Sequence, residues 1–320
     1  MISIPGAILC TGNLVQDTVV YPCDQIPTLG TQWVERIEQH LGGNGASSSY
    51  TIAKLGGKVR LMGWVGDDAF GRQLRDLLES VRVDLSFLST ASREGTSASV
   101  ALVRTDGSRG FLNYPGASRE AFENFAEFTS QHVAGCSHYH LANPFSLAKF
   151  RGKAAMALQS ARNQGLTTSM DLAWDSLGDW MRIVEPCLPL TDLLFANEDE
   201  IRMLTGHVEP DKAAAAFRDC GASNIVVKLG PRGSRTILAK GTTIVTPAFQ
   251  VKAIDTTGAG DCFVGAYLAG LQHGYVVDAA ARLANAVGAL SASRIGAVPG
   301  LRSLPDTLAW ISDSERATSR

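Results

Sequence analysis

Short apolar runs alternate along the chain with stretches in which apolar residues recur every three or four positions. Ala7–Cys10, Val59–Val65, Leu166–Met170, Leu193–Ala196, Ile225–Lys228 and Thr236–Leu238 read as strands. Ala46–Leu55, stopped by Gly56-Gly57, reads as a helix, as do Phe70–Ser80, Lys149–Asn163, Asp199–Leu204 and Pro210–Cys220. In the second of these, Leu74, Leu77 and Leu78 fall on one face. Apolar strands interleaved with helices predict an α/β fold with a mostly parallel sheet covered on both faces.

Two segments break that rhythm. Thr18–Gln39 mixes prolines and charges with alternating Trp33, Val34 and Ile37. Thr96–Tyr114 reads as a hairpin, Ser99–Arg104 and Gly110–Tyr114 around Thr105-Asp106-Gly107-Ser108, because Asp-Gly between alternating runs is a strong turn signal. Together they predict a small antiparallel sheet apart from the main body. The polar end, Ser312–Arg320, is expected to fray.

At 320 residues the chain suffices for two domains or one large one, with no need of disulfide or metal staples. A hydrophobic fraction of 45% with 19% charged residues describes a globular protein, and a net charge of −2 supplies no field for a polyanion, so nucleic acid is not an expected partner. Six scattered cysteines, without C-x-x-C spacing, read as core thiols of a reducing compartment. The N-terminus lacks signal-peptide character and no apolar run reaches the ~18–20 residues of a membrane span, so a cytoplasmic protein is expected. P-loop, H-E-x-x-H, G-x-S-x-G and G-x-G-x-x-G patterns are missing. His138-Tyr139-His140 places two imidazoles on one strand face, which reads as two polar positions, since a metal site needs further ligands.

The chemistry concentrates in 251–271, VKAIDTTGAGDCFVGAYLAGL. A strand end reaches Asp255, a Thr-Thr-Gly-Ala-Gly turn follows, and Asp261 opens a small-residue helix. Unpaired N–H groups at a helix start make an anion site. Helix dipole and donors there are expected to hold Asp261 ionised. An anion hole beside an aspartate base is what phosphoryl transfer to an alcohol requires.

Asp255-Thr256-Thr257-Gly258-Ala259-Gly260-Asp261 resembles the second signature of the ribokinase-like (PfkB) carbohydrate kinases. The first signature region is similar too, as Gly42-Gly43-Asn44-Gly45-Ala46, with Leu55-Gly56-Gly57 and Val65–Gly71 after it. Asn197-Glu198-Asp199-Glu200, Val227-Lys228-Leu229-Gly230 and Ala284-Asn285-Ala286 follow in family order. The resemblance implies a three-layer α/β/α sandwich forming one domain over residues 1–320, with a small antiparallel β lid from about 18–40 and 96–114. It implies Asp261 as catalytic base, with Gly258, Ala259 and Gly260 as anion-hole amides. ATP and Mg²⁺ follow, with Asn197 and Glu200 organising the metal through water. Lys228, Gly230 and Gly233 correspond to the nucleotide-side loop, and Asn285 to the helix bordering adenine. Asp255 and Thr257, with the 291–297 loop, correspond to the monovalent-cation (K⁺) site of some members.

For the acceptor, the resemblance points to Asn13, Asp17, Gly42, Gly43 and Asn44. Ribose-specific members read G-G-K-G-A-N where this chain has Asn44 and Ser47, so two polar contacts differ. Asn113 and Arg104 are lid candidates for substrate contact, and pairing of lids implies a homodimer. The resulting expectation is a kinase for a hydroxymethyl group of a sugar or sugar derivative. The alternatives are a nucleoside kinase, with Tyr21, Trp33 and Phe111 available for stacking, and a silent ligand-binding relative.

Overall fold

The computed structural model describes residues 3–26, 28–106 and 108–318. Strands β1 (Ala7–Thr11), β2 (Val15–Tyr21) and β3 (Arg36–Gly42) open the chain. Helix α1 (Asn44–Lys54), β4 (Val59–Val65), α2 (Ala69–Ser80) and β5 (Leu88–Thr90) precede the hairpin β6 (Ala98–Val103) and β7 (Arg109–Tyr114). The middle of the chain comprises α3 (Ser130–Val133), β8 (Cys136–Leu141), α4 (Ala154–Asn163), β9 (Thr167–Asp171) and α5 (Met181–Val184). Then come β10 (Leu193–Asn197), α6 (Glu198–Thr205), α7 (Pro210–Asp219), β11 (Asn224–Lys228), β12 (Ser234–Ile237) and β13 (Thr243–Thr246). Three helices close the fold, α8 (Ala259–Gln272), α9 (Val277–Ala292) and α10 (Leu304–Thr318).

Nine strands form one sheet in the order β13-β12-β11-β10-β9-β8-β1-β4-β5, parallel except where β12 and β13 turn back along its edge. Strands β1, β10 and β11 are mostly apolar because each face of the sheet has its own core. Ile8, Cys10, Phe195 and Val226 face α1, α2, α8 and α9, whereas Leu9, Leu141, Met170, Leu194 and Val227 face α4, α6 and α7. The three-layer sandwich is therefore present. His138 and His140 do share one face of β8. They are buried neutral against β9, with His138 bonded to Thr167 and Ser169 and His140 Nδ1 to Ser169. Burial holds both well below the ordinary imidazole range, at about 3.

The second sheet has four strands, β3-β2-β6-β7. It is mixed rather than antiparallel: β3–β2 and β6–β7 pair antiparallel, but β2 and β6 run parallel. The reason is connectivity. A long excursion through β4, α2 and β5 separates β2 from β6, and only a tight hairpin forces reversal. Arg104 N donates to Ser108 O at 2.9 Å across the expected turn, whose Gly107 lies outside the described residues.

Most boundaries lie within one or two residues of expectation, and two differ by more. Residues 149 and 150 precede the helix, which begins with a 3₁₀ turn at Arg151–Lys153. Ser312 onward does not fray but continues α10 to Thr318, anchored by buried Ile311, by Trp310 tilted against Phe249 at 5.2 Å, and by an ion pair between Glu315 and Arg282. Residues 319 and 320 lie outside the described part.

Candidate active site

The carboxyl ends of β1, β8, β9, β10 and β11 converge on the N-termini of α1, α6 and α8. In an open parallel sheet such a crevice opens where strand order reverses, here between β1 and β8. Asn13 follows β1, Asn143 follows β8, and Asp171, Asn197 and Lys228 are the last residues of β9, β10 and β11. Lys228 thus ends its strand instead of entering the loop beyond it.

The turn before α8 depends on Gly258, whose φ of 72° suits glycine and whose added Cβ would lie 2.4 Å from the Ala297 Cβ. First-turn amides have no partner within a helix. Of the three expected in an anion hole, Ala259 N is engaged by Thr256 O at 3.2 Å. Asp255 ties the turn to the 291–297 loop, accepting from Thr257 N and Gly296 N, both at 2.9 Å.

Asp261 sits in the first turn of α8, its Oδ1 accepting from Asn44 Nδ2 at 2.7 Å. Asn44 Oδ1 accepts in turn from Asn143 Nδ2 at 2.9 Å, and Asn13 Oδ1 holds the Asn44 amide N at 3.0 Å. A chain of carboxamides from three loops thereby fixes one carboxylate. The Lys228 ammonium lies beneath, 3.5 Å from where a Cβ on Gly260 would sit, and pairs with Asp171 Oδ1 at 2.6 Å. Both side chains are nearly enclosed, at 12% and 2% exposure. Burial raises the Asp261 pKa above the usual carboxylate value, outweighing the Asn44 hydrogen bond and the Lys228 charge, which lower it. That reverses the expectation from helix dipole and donors alone.

Asn197 and Glu200 form a reciprocal capping box on α6. Asn197 Oδ1 accepts from Glu200 N, while the Glu200 carboxylate accepts from Asn197 N and Nδ2 at 2.7 and 2.8 Å. Glu200 is buried, and burial raises its pKa. Asp171, Glu200 and Asp261 surround the single ammonium of Lys228. This surplus of hard oxygen donors suits a divalent cation held through water, as Mg²⁺ prefers. Among the described residues no group of three His, Cys, Asp or Glu side chains forms a metal cage.

Asp17 packs directly over Gly42, where an added Cβ would meet its Oδ2 at 2.0 Å. Burial, then the charges of Asp255 and Asp261, push Asp17 up to about 7. Beyond it lies a cavity of about 310 Å³ between the small sheet and the 254–257 and 295–296 loops. Beyond β11, Gly230 borders open space, while Gly233 packs against Thr246 O. Asn285 is buried, and its Nδ2 donates to Ser234 Oγ and Thr246 O at 3.0 and 3.2 Å. Sequence reasoning missed Asn143 and Asp171. Their position at the carboxyl ends of adjacent parallel strands was the available signal.

A family model described as pfkB family carbohydrate kinase matches residues 7–304. The chain belongs to that family. This pfkB family member is a sugar kinase, an enzyme that moves a phosphoryl group from ATP to a sugar hydroxyl. It is 27% identical to a ribokinase of Haemophilus influenzae over 277 residues, covering 84% of this chain and 87% of the relative. It is 31% identical to an ATP-dependent ribose-1-phosphate kinase of Halopiger xanaduensis over 291 residues, 91% and 93% of the two chains. A structure of Arabidopsis thaliana ribokinase complexed with ribose and ATP superposes with a TM-score of 0.84 at 23% identity, covering 96% and 98%. That last likeness bears on the fold. Among the described residues no helix of this kinase is long and apolar enough to cross a membrane.

Proposed function

We propose that this kinase phosphorylates a hydroxymethyl group of a sugar or sugar derivative, with Asp261 as the general base. The observation that carries the reading is the fixed position of Asp261, held by Asn44 at the start of α8 with Lys228 beneath. The acceptor hydroxyl donates to Asp261, which takes its proton as the oxygen attacks the γ-phosphorus of ATP. The raised pKa helps, because a stronger base withdraws the proton more readily once ionised. Amides of Gly258, Ala259 and Gly260 supply the anion hole, Ala259 by exchanging its long bond to Thr256. Lys228 adds a positive charge that offsets charge developing on the phosphoryl oxygens.

Asn197 and Glu200, with Asp171 close by, would hold Mg²⁺ through water, and the metal would supply charge neutralisation at the phosphates. Gly230 admits the nucleotide, and Gly233 and Asn285 shape that pocket by fixing the β12–β13 edge. Asn13, Asp17, Gly42, Gly43 and Asn44 bind the acceptor. Asp17 accepts from its hydroxyls as carboxylate or donates when protonated. Asp255 and Thr257 with the 291–297 loop form the candidate K⁺ site. We read residues 1–320 as one kinase domain in the cytoplasm. The small sheet acts as its lid, excluding water. The exposed lid side chains Trp33, Ile37 and Leu112 favour a homodimer.

One observation favours a nucleoside acceptor as second reading: Tyr21 and Phe111 line the cavity beyond Asp17. Trp33, at 90% exposure, does not. The test is acceptor-dependent ADP release with MgATP and K⁺, over ribose, fructose, ketodeoxygluconate, amino sugars, adenosine and inosine. ADP formation with a sugar supports the proposal. A signal confined to nucleosides favours the second reading, and ATP binding without turnover on any acceptor contradicts both.

A further inference from the structure

A second cavity, of about 290 Å³, lies between the small sheet, α1, α2 and the 298–301 segment. Successive side chains of a strand point to opposite faces, so Gln16 of β2 projects away from its neighbour Asp17. None of the residues lining this cavity lines the one beyond Asp17. Its floor is buried, with Gln16 at 1% exposure beside Leu41, Tyr50, Leu74 and Leu301, and its rim carries exposed Gln39 and Gln73. Such a volume holds about ten waters and approaches the ~300 Å³ lower limit of small-molecule pockets.

Gln16 carries an unanswered polar atom. Its Nε2 reaches Asp17 O and His40 O at 3.4 and 3.3 Å, whereas Oε1 is buried without a partner. Exchanging the two ends would set an oxygen against two carbonyl oxygens, so the neighbours fix the orientation. A buried acceptor with no donor costs stability until something supplies one. Both Nε2 bonds are long, which lets the carboxamide tilt towards a donor entering the cavity. Lys54, also on the wall, makes no ion pair among the described residues, and no carboxylate lines the cavity. Glu38, close by on β3, bonds to His40 at 3.2 Å. Lys54 also lines a neighbouring groove with Lys58 and Arg82, whose lining acid, Asp84, pairs with Arg60 at 2.7 Å.

We propose that this cavity is a second ligand site, for a small hydroxy acid with an apolar body between its hydroxyl and its carboxylate. The hydroxyl donates to Gln16 Oε1 on the floor, the body lies along Leu41, Leu74, Leu77 and Leu301, and the carboxylate meets Lys54. Occupancy reaches the proposed catalytic machinery by two contacts. Gln16 is bonded through the backbone to Asp17, and the His40 ring packs on Gly296, where an added Cβ would lie 2.5 Å from the ring Cγ. Gly296 N in turn donates to Asp255 Oδ2 at 2.9 Å, beside the turn before α8. The ligand is therefore an effector of the kinase, separate from its acceptor and nucleotide.

The test is an NMR titration of the full chain with matched probes: 6-hydroxyhexanoate, hexanoate without the donor, and hexane-1,6-diol without the charge. The hydroxy acid is expected to bind about threefold or more tighter than either of the others. Its advantage over hexanoate should vanish in Gln16→Leu, and its advantage over the diol in Lys54→Met. Leu77→Trp, which fills the cavity from its wall, should abolish binding while the unfolding midpoint shows the fold intact. Absence of binding, equal affinity for the three probes, or binding that survives Leu77→Trp overturns the proposal, the cavity then holding water alone. Binding is measured without ATP or acceptor, so failure of the kinase reading would leave it standing. Turnover of a reactive acceptor with MgATP is read separately, and saturating hydroxy acid should change kcat/KM by about fivefold or more in the parent but not in Leu77→Trp. An unchanged kcat/KM with the probe bound overturns the effector role.

Discussion

Asp261 is set by opposing forces whose balance can be moved one residue at a time. Burial raises its pKa, while the Asn44 hydrogen bond and the Lys228 charge hold it down. As a base it works only when ionised, so kcat/KM should fall as pH drops through its raised pKa, above the range of an ordinary aspartate. Removing Asn44 Nδ2 withdraws a lowering influence, so Asn44→Leu should move that acidic limb to still higher pH. A pH–rate profile of the two proteins checks this. A limb that stays in place would mean that another group titrates. Asn44 also explains why the residue scale was only partly legible in sequence. Its position in Gly-Gly-Asn marked it for the acceptor pocket, but its bonds to Asp261 and Asn143 span separations of 217 and 99 residues. No local pattern encodes such distances.

Elements place these residues, and the loops between strands and helices depend on contacts of their own. The segment after β9 is held by Arg151, which donates to both Asp175 oxygens at 2.7 and 2.6 Å. Asp175 also accepts from the amides of Leu177 and Trp180, and its side chain is fully enclosed. Asp175→Ala leaves Arg151 paired with Asp179 at 2.8 Å but strips its second carboxylate and unpairs the two amides, so it should cost about 1–3 kcal/mol. Thermal or denaturant unfolding measures it, and a loss below about 1 kcal/mol would mean that water replaces the carboxylate. Most strands and helices were legible because their periodicity reports burial directly. The stretch from Ser312 was misjudged as frayed because its polar composition hides the anchoring of Ile311 and Trp310 just before it. Strand β5 (Leu88–Thr90), three residues long, is too short to carry a periodic signal.

At the scale of the molecule, a nine-stranded sheet with a core on each face brings five strand ends to one crevice, and a second sheet stands over it. The order of apolar runs disclosed the layered body, but the direction of β6 beside β2 did not follow from any local signal, since pairing across a long crossover is a tertiary outcome. What unites these levels is a carboxylate fixed beside an anion-binding helix start. The most direct test measures Asp261→Asn with a reactive acceptor for turnover, and by calorimetry for nucleotide affinity. The account predicts a fall in kcat of about 10²–10⁴-fold with ATP affinity within a few-fold of the parent, because the amide preserves shape and the bond to Asn44 can be re-formed. Turnover close to that of the parent enzyme would contradict it.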